Sequence, residues 1–225
     1  MRLGISLGYR AVEFDVKLSK DGVAILLHDD TLERTTSGKG AAGEMNWALL
    51  AALDAGEWHS VAFRGEPVAR FDDTARLLID AGVSANVEIK PAPGVERETG
   101  RRVAELSASY WRDAKVPPLL SSFSFEALVA AREAAPQLPR AWLINAPGEE
   151  DWVRLEALEA VALHCHHEKI SREQLARLHD RGYRVLTYTV NDGARAAQLL
   201  EWGIDGMFTD NLAEFAREFP VALAS

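Results

Sequence analysis

Short β-rich runs alternate with longer amphipathic helical patterns along almost the whole chain, and this alternation leaves few folds open. Extended runs fall at 11–16, 23–28, 85–89, 119–123, 141–144, 160–164, 185–190 and 206–209. Helical apolar spacing fills the intervals 72–81, 95–111, 125–134, 149–158, 171–181 and 193–202. Asp72, Ser124, Ser171 and Asp192 stand where N-caps belong. Lys20-Asp21-Gly22 turns the first run back on the second as a hairpin, so the second run is not a parallel strand. The remaining strand–helix–strand repeats imply parallel neighbours joined by right-handed crossovers.

Seven barrel-type strands therefore carry Glu13, Glu88, Ser122, Leu143, Leu163, Tyr188 and Phe208. The predicted fold is α/β, a (β/α)₈ TIM barrel, and such barrels commonly close around eight parallel strands. Residues 1–7 read as the tail of a helix, so the expectation is a barrel lacking its first strand. No linker-like stretch, repeat or low-complexity segment divides the chain, which predicts one domain over 1–225 with a small insertion at about 41–71.

Composition excludes several classes. The 25 basic against 34 acidic side chains leave a net charge of −9, which disfavours nucleic acid and anionic membranes as partners. A small phosphate ester stays admissible, since it needs only a few local cations or a metal. The longest apolar runs fall well short of the roughly 18 residues of a membrane span. The single cysteine, Cys165, excludes an internal disulfide framework and points to a cytoplasmic location.

Polar groups interrupt otherwise apolar strands at the ends where barrels place their sites. Glu13 and Asp15 are two apart and share one face of a strand, and Glu88 and Lys90 repeat that spacing on another. The C-terminal ends of barrel strands form one rim, so the four groups can converge. Three carboxylates gathered there suit a hard divalent cation, Mg²⁺ or Ca²⁺. On spacing alone they equally fit solvated strand ends or ion-pair partners of Lys90. Pairing across the hairpin sets His28 beside Glu13 and Asp15, where an imidazole can move protons near neutral pH.

The segment from Val12 to Gly22, with Glu13, Asp15, Val16, Ser19 and Asp21, follows the pattern E-x-D-V-x-x-S/T-x-D-G. His28-Asp29-Asp30-Thr31-Leu32-Glu33-Arg34-Thr35-Thr36-Ser37-Gly38 follows H-D-x-x-L-x-R-T-T-x-G, and Glu88-Ile89-Lys90 gives E-I-K. With Ser121-Ser122-Phe123, Tyr188-Thr189-Val190-Asn191 and the stretch from Gly203 to Asp210 in the same order, the chain resembles the glycerophosphodiester phosphodiesterase family, short bacterial cytoplasmic type. The resemblance covers essentially the whole chain. It implies that Glu13, Asp15 and Glu88 hold a divalent cation and that His28 is one of two acid–base histidines. It also implies that Lys90 contacts phosphate and that Phe123 and Tyr188 line the glycerol pocket. The family's opening strand, ending in His-Arg-Gly and carrying the other histidine, has no counterpart in this sequence. The expected function is metal-dependent hydrolysis of a small-molecule glycerophosphodiester to an alcohol and sn-glycerol 3-phosphate. The alternative is an inactive truncated product or a noncatalytic metal- and phosphate-binding barrel.

Other signals are weaker. His164-Cys165-His166-His167 alternates faces and lacks the separated spacing of a zinc site. Gly38-Lys39-Gly40 is too short for a phosphate-cradling loop. Trp47, Trp58 and Phe63 are expected to form a local core within the insertion.

Overall fold

The strand–helix alternation becomes one eight-stranded sheet in the computed structural model, which describes residues 1–219. The strands are β1 Ala11–Leu18, β2 Ala24–Leu26, β3 Ser84–Ile89, β4 Leu119–Ser122, β5 Arg140–Ile144, β6 Ala162–His166, β7 Arg184–Tyr188 and β8 Gly206–Met207. The helices are α1 Arg2–Ser6, α2 Trp47–Leu50, α3 Phe71–Asp80, α4 Glu96–Tyr110, α5 Phe125–Ala134, α6 Asp151–Ala157, α7 Arg172–Asp180, α8 Gly193–Trp202 and α9 Leu212–Glu218. The sheet order is β2-β1-β3-β4-β5-β6-β7-β8. Only β1 and β2 pair antiparallel, with Val16 opposite Leu26 and Leu18 opposite Ala24, and every other pair is parallel. This is an α/β fold with a curled sheet, consistent with the TIM-barrel type.

The curl brings the two ends of the parallel set to one cleft. Ala11, Val12 and Glu13 line one side, and Met207, Phe208, Thr209 and Asp210 line the other, around a volume of about 310 Å³. α1 and Tyr9 border this cleft, and the Tyr9 hydroxyl donates to the Leu212 carbonyl at 2.9 Å, tying α1 to α9.

Period-two alternation divides each strand between two environments. Phe14 and Val16, Val87 and Ile89, Leu120, Trp142 and Ile144, Leu163 and Cys165, and Val185 face the helices. There they bury against Phe71, Leu78, Val103, Leu128, Leu155, Leu175 and Leu199. Each fully buried leucine of this layer stabilises the fold by about 1.5–3 kcal/mol. The alternate positions, among them Glu13, Asp15, Asn86, Glu88, Ser121 and His164, face the other way, which concentrates polar groups inside the curl.

The expected caps hold at three of four helices. Ser124, Ser171 and Asp192 accept from Ala127, Gln174 and Arg195 backbone N–H groups, and Gln174 completes a capping box. Asp72 does not cap α3. That helix starts one residue earlier at fully buried Phe71, so Asp72 lies in the first turn, held by the Arg70 Nε at 2.8 Å. β8 is shorter than the expected run 206–209, although the Phe208 N–H still donates to the Thr187 carbonyl.

The insertion packs on the hairpin return and the loop after it to build a second small core from Ile25, Leu27, Leu32, Ala42, Leu50 and Val68, with Trp47 packed against it. Trp58 and Phe63 are not part of it; they are 53% and 48% exposed and meet the ring of His59 edge-on. Asp54 organises that turn instead, accepting from the N–H groups of Gly56, Glu57 and Gly65, so no apolar anchor is required there. No helix among the described residues is long and apolar enough to cross a membrane.

Candidate active site

The middle of β1 and the C-terminal half of β3 gather the acidic side chains. Parallel pairing sets Asp15 beside Glu88 and Glu13 beside Asn86. One oxygen from each of Glu13, Asp15 and Glu88 lies within 4.8 Å of the others, the one such group of potential ligands found among the described residues. Lys90 follows Glu88 by two positions and reaches back, its Nζ 2.7 Å from Glu88 Oε1 and 3.2 Å from Asp15 Oδ1.

One ammonium does not balance three carboxylates. Burial, then the charges of Asp15 and Glu88, push the Glu13 carboxyl up to about 8. Burial also raises Glu88, against the opposing pull of Lys90. For Lys90 burial works against the ammonium, but the charges of Asp15 and Glu88 outweigh it and hold its pKa above the usual value. An all-oxygen donor set short of positive charge is the environment that a hard divalent cation satisfies. The residues present therefore fit such an ion.

His28 lies just past β2, where the Leu27 N–H donates to the Asp15 carbonyl, so the hairpin delivers the imidazole to the carboxylate rim. Its charge and that of Glu88 are close enough to interact. His28 Nδ1 is 2.7 Å from Asp29 Oδ1, and Arg34 grips the same carboxylate with Nε to Oδ2 at 2.6 Å and Nη2 to Oδ1 at 2.9 Å. Asp29 is a participant that the sequence reasoning passed over, although it stands next to His28 in the quoted motif.

An aromatic wall continues from Lys90 around the rim. Lys90 Nζ stands 5.7 Å from the Phe123 ring centroid, Phe123 meets Tyr188 edge-on at 5.8 Å, and Tyr188 meets His166 at 5.9 Å. Phe123 is 47% exposed at the end of β4, which argues against a purely packing role. The Tyr188 hydroxyl donates to the Ile144 carbonyl at 2.7 Å, and burial pushes it up to about 12, so this residue offers a ring face rather than a proton. All seven candidate residues thus lie along one rim, and His166, of the weaker histidine run, joins them beside Tyr188.

The weaker signals do not converge. His164 is fully buried inside the curl with neither ring nitrogen hydrogen-bonded, and burial lowers its pKa to about 3. Cys165 faces the helices, its thiol pushed up to about 12 by burial, which removes it as a nucleophile. His166 stacks on His167 at 4.8 Å. The Gly40 N–H donates to Glu33 Oε1, an acidic partner that no phosphate cradle would contain.

Comparison with known proteins gives one answer. The sequence profile of the glycerophosphoryl diester phosphodiesterase family matches residues 1–214. A glycerophosphodiester phosphodiesterase of Caldanaerobacter subterraneus subsp. tengcongensis is 28% identical over 211 residues, covering 92% of this chain and 84% of that protein. One of Bacillus subtilis is 29% identical over 215 residues, covering 88% and 73%. Among solved structures, a phosphodiesterase of Oleispira antarctica in complex with the product sn-glycerol-3-phosphate superposes with a TM-score of 0.90 at 32% identity, covering 96% of this chain and 87% of that one.

Proposed function

The chain belongs to the glycerophosphoryl diester phosphodiesterase family, and we propose that it hydrolyses glycerophosphodiesters to an alcohol and sn-glycerol 3-phosphate. The observation that carries this reading is the convergence of Glu13, Asp15 and Glu88 with Lys90 and His28 on one rim. Glu13, Asp15 and Glu88 would hold Mg²⁺ or Ca²⁺. Such an ion supplies charge neutralisation at the phosphoryl oxygens and assistance in ionising a hydroxyl nucleophile.

The chain's own groups do the rest. Lys90 Nζ, already aimed into the acidic cluster, contacts a phosphate oxygen and adds positive charge where the transition state gathers negative charge. Nε2 of His28, the ring nitrogen not engaged by Asp29, gives or takes the proton at the bridging oxygen. Phe123 and Tyr188 present ring faces to the glycerol carbons and exclude water on that side. By the family resemblance, a further barrel strand would fit the cleft between β1 and β8, whose lining reaches Glu13. In that resemblance, such a strand would carry the second acid–base histidine. Glycerophosphocholine, glycerophosphoethanolamine and glycerophosphoglycerol are all admissible substrates, and the buried free thiol of Cys165 suits a cytoplasmic site of action.

The test is release of glycerol 3-phosphate from glycerophosphocholine, measured with and without Mg²⁺ or Ca²⁺. Cation-dependent release is expected, and His28→Ala should lower turnover by about 10²-fold or more while cation affinity holds. Wild-type turnover in that variant would remove His28 from the mechanism, and no release under any cation would favour a noncatalytic phosphate-binding barrel.

A further inference from the structure

Asp29 and Arg34 take no part in the chemistry above, yet they form the most directed polar arrangement on the rim. We infer that the two are a positioning pair: Arg34 clamps Asp29, and Asp29 fixes the imidazole of His28 with its proton on Nδ1 and Nε2 free for the reacting atoms. This inference rests on the reading of His28 as the acid–base group.

The geometry accounts for each donor and acceptor. Arg34 lays its Nε and Nη2 along the two oxygens of Asp29 at 2.6 and 2.9 Å, a bidentate fork that sets the plane of the carboxylate. Asp29 Oδ1 then meets His28 Nδ1 at 2.7 Å. The hydrogen bonds from Arg34, then from His28, hold the Asp29 carboxyl far below the usual range, so it stays an acceptor at any working pH. An acceptor-only partner requires Nδ1 to be the donor. The imidazole therefore carries Nδ1–H, and Nε2 is the atom that exchanges a proton. In water a free imidazole has no such constraint on its tautomer or its plane.

A purely structural role explains the arrangement poorly. The side chains of His28 and Arg34 are 60% and 57% exposed, and ion pairs in that setting contribute about 0–1 kcal/mol to stability. The loop is secured by other contacts. Lys17, which is 1% exposed, reaches Asp30 at 2.6 Å just after Asp29. Leu32 is fully buried in the insertion core, and Thr36 donates to the Leu32 carbonyl. The clamp is thus redundant for holding the loop and specific for aiming the ring. The same commitment of Nε and Nη2 leaves Arg34 poorly placed to bind phosphate as its main task.

The test combines a spectroscopic and a kinetic arm on the intact chain. Long-range ¹H–¹⁵N spectra of wild-type protein, recorded at alkaline pH where imidazoles are neutral, should show His28 as the Nδ1–H tautomer. Asp29→Asn should shift it towards Nε2–H. With saturating Mg²⁺ and glycerophosphocholine, Asp29→Asn should lower kcat by about 10- to 100-fold, with KM and calorimetric Mg²⁺ affinity within about twofold of wild type. Asp29→Glu, which keeps the carboxylate, should recover part of that loss, and Arg34→Lys, which cannot form the fork, should fall between. A wild-type His28 in the Nε2–H form, or full kcat in Asp29→Asn, would overturn the inference. If instead His28→Ala keeps full turnover, the acid–base reading fails on its own, whatever the tautomer measurement shows.

Discussion

Replacing Gly100 with alanine tests how the helix layer holds the rim in place. α4 packs closely on α5 at this point. A Cβ at residue 100 would lie 2.1 Å from the Ala127 carbonyl oxygen, 2.7 Å from its carbonyl carbon and 2.8 Å from its Cα. The obstacle is backbone, so no side-chain rotation relieves it, and α5 must retreat by roughly 1 Å or more to regain ordinary contact. Alanine gains about 1 kcal/mol over glycine inside a helix. Overpacking a buried contact costs about 1–3 kcal/mol, and a rigid obstacle sets this case in the upper part of that range. The net expectation is a loss of about 1–2 kcal/mol, or about 2–8 °C in Tm for a chain of this size. The shift should also reach the site, because α5 begins directly after Phe123. The Ser124 N–H donates to Ser122 Oγ, Ser122 donates to the Ile89 carbonyl, and Ser124 Oγ caps the Ala127 N–H. KM for glycerophosphocholine should therefore rise, while cation affinity, which depends on β1 and β3, should hold. Thermal unfolding by circular dichroism, steady-state kinetics and calorimetry read the three quantities. A variant melting at or above wild type would show that intrinsic helix propensity outweighs the contact, and the reasoning would fail.

Two further outcomes follow from the interior of the curl. Glu13→Gln, Asp15→Asn and Glu88→Gln should each weaken Mg²⁺ or Ca²⁺ binding at least about 10-fold by calorimetric titration, and unchanged affinity in all three would dismiss the shared site. His164 is neutral when folded down to about pH 3, whereas its ordinary value is 6.5, so between these limits the unfolded chain binds a proton that the folded chain does not. Stability is unaffected at pH 7 and falls as the pH drops from 6.5 towards 3, by up to about 1.4 kcal/mol per pH unit from this residue. His164→Leu should flatten that slope in urea unfolding at pH 7, 6 and 5, and parallel curves for the two proteins would refute the assignment.

What the sequence revealed and what it hid divide along physical lines. Strand periodicity is a backbone property, so the parallel strands and the hairpin were all legible, and the rim followed because Glu13, Asp15, Glu88 and Lys90 ride on strand parity. Ser124, Ser171 and Asp192 were legible because a cap is local. Asp72 was misplaced because burial of Phe71 decides where α3 starts, and burial is a tertiary property. Trp58 and Phe63 were misread for the same reason: the Asp54 carboxylate can organise a turn as well as an aromatic core can, and composition does not distinguish the two. His166 was visible in the sequence only as part of the His164-Cys165-His166-His167 run, because its place beside Tyr188 is a relation between strands rather than along one.

The charges of the rim also set an order of events. Three acidic groups against the single ammonium of Lys90 leave the cluster short of positive charge, in a chain whose overall charge is −9. A phosphodiester is itself an anion, and at contact distance like charges in a partly buried site repel by several kcal/mol. Lys90 alone cannot reverse that sign, because its ammonium is already shared between Asp15 and Glu88. If a divalent cation were held by Glu13, Asp15 and Glu88, the same ammonium would be free to face a phosphate oxygen. On the proposed reading, substrate binding would then depend on prior neutralisation of the cluster, and Lys90 would exchange its carboxylate partners for a phosphate oxygen.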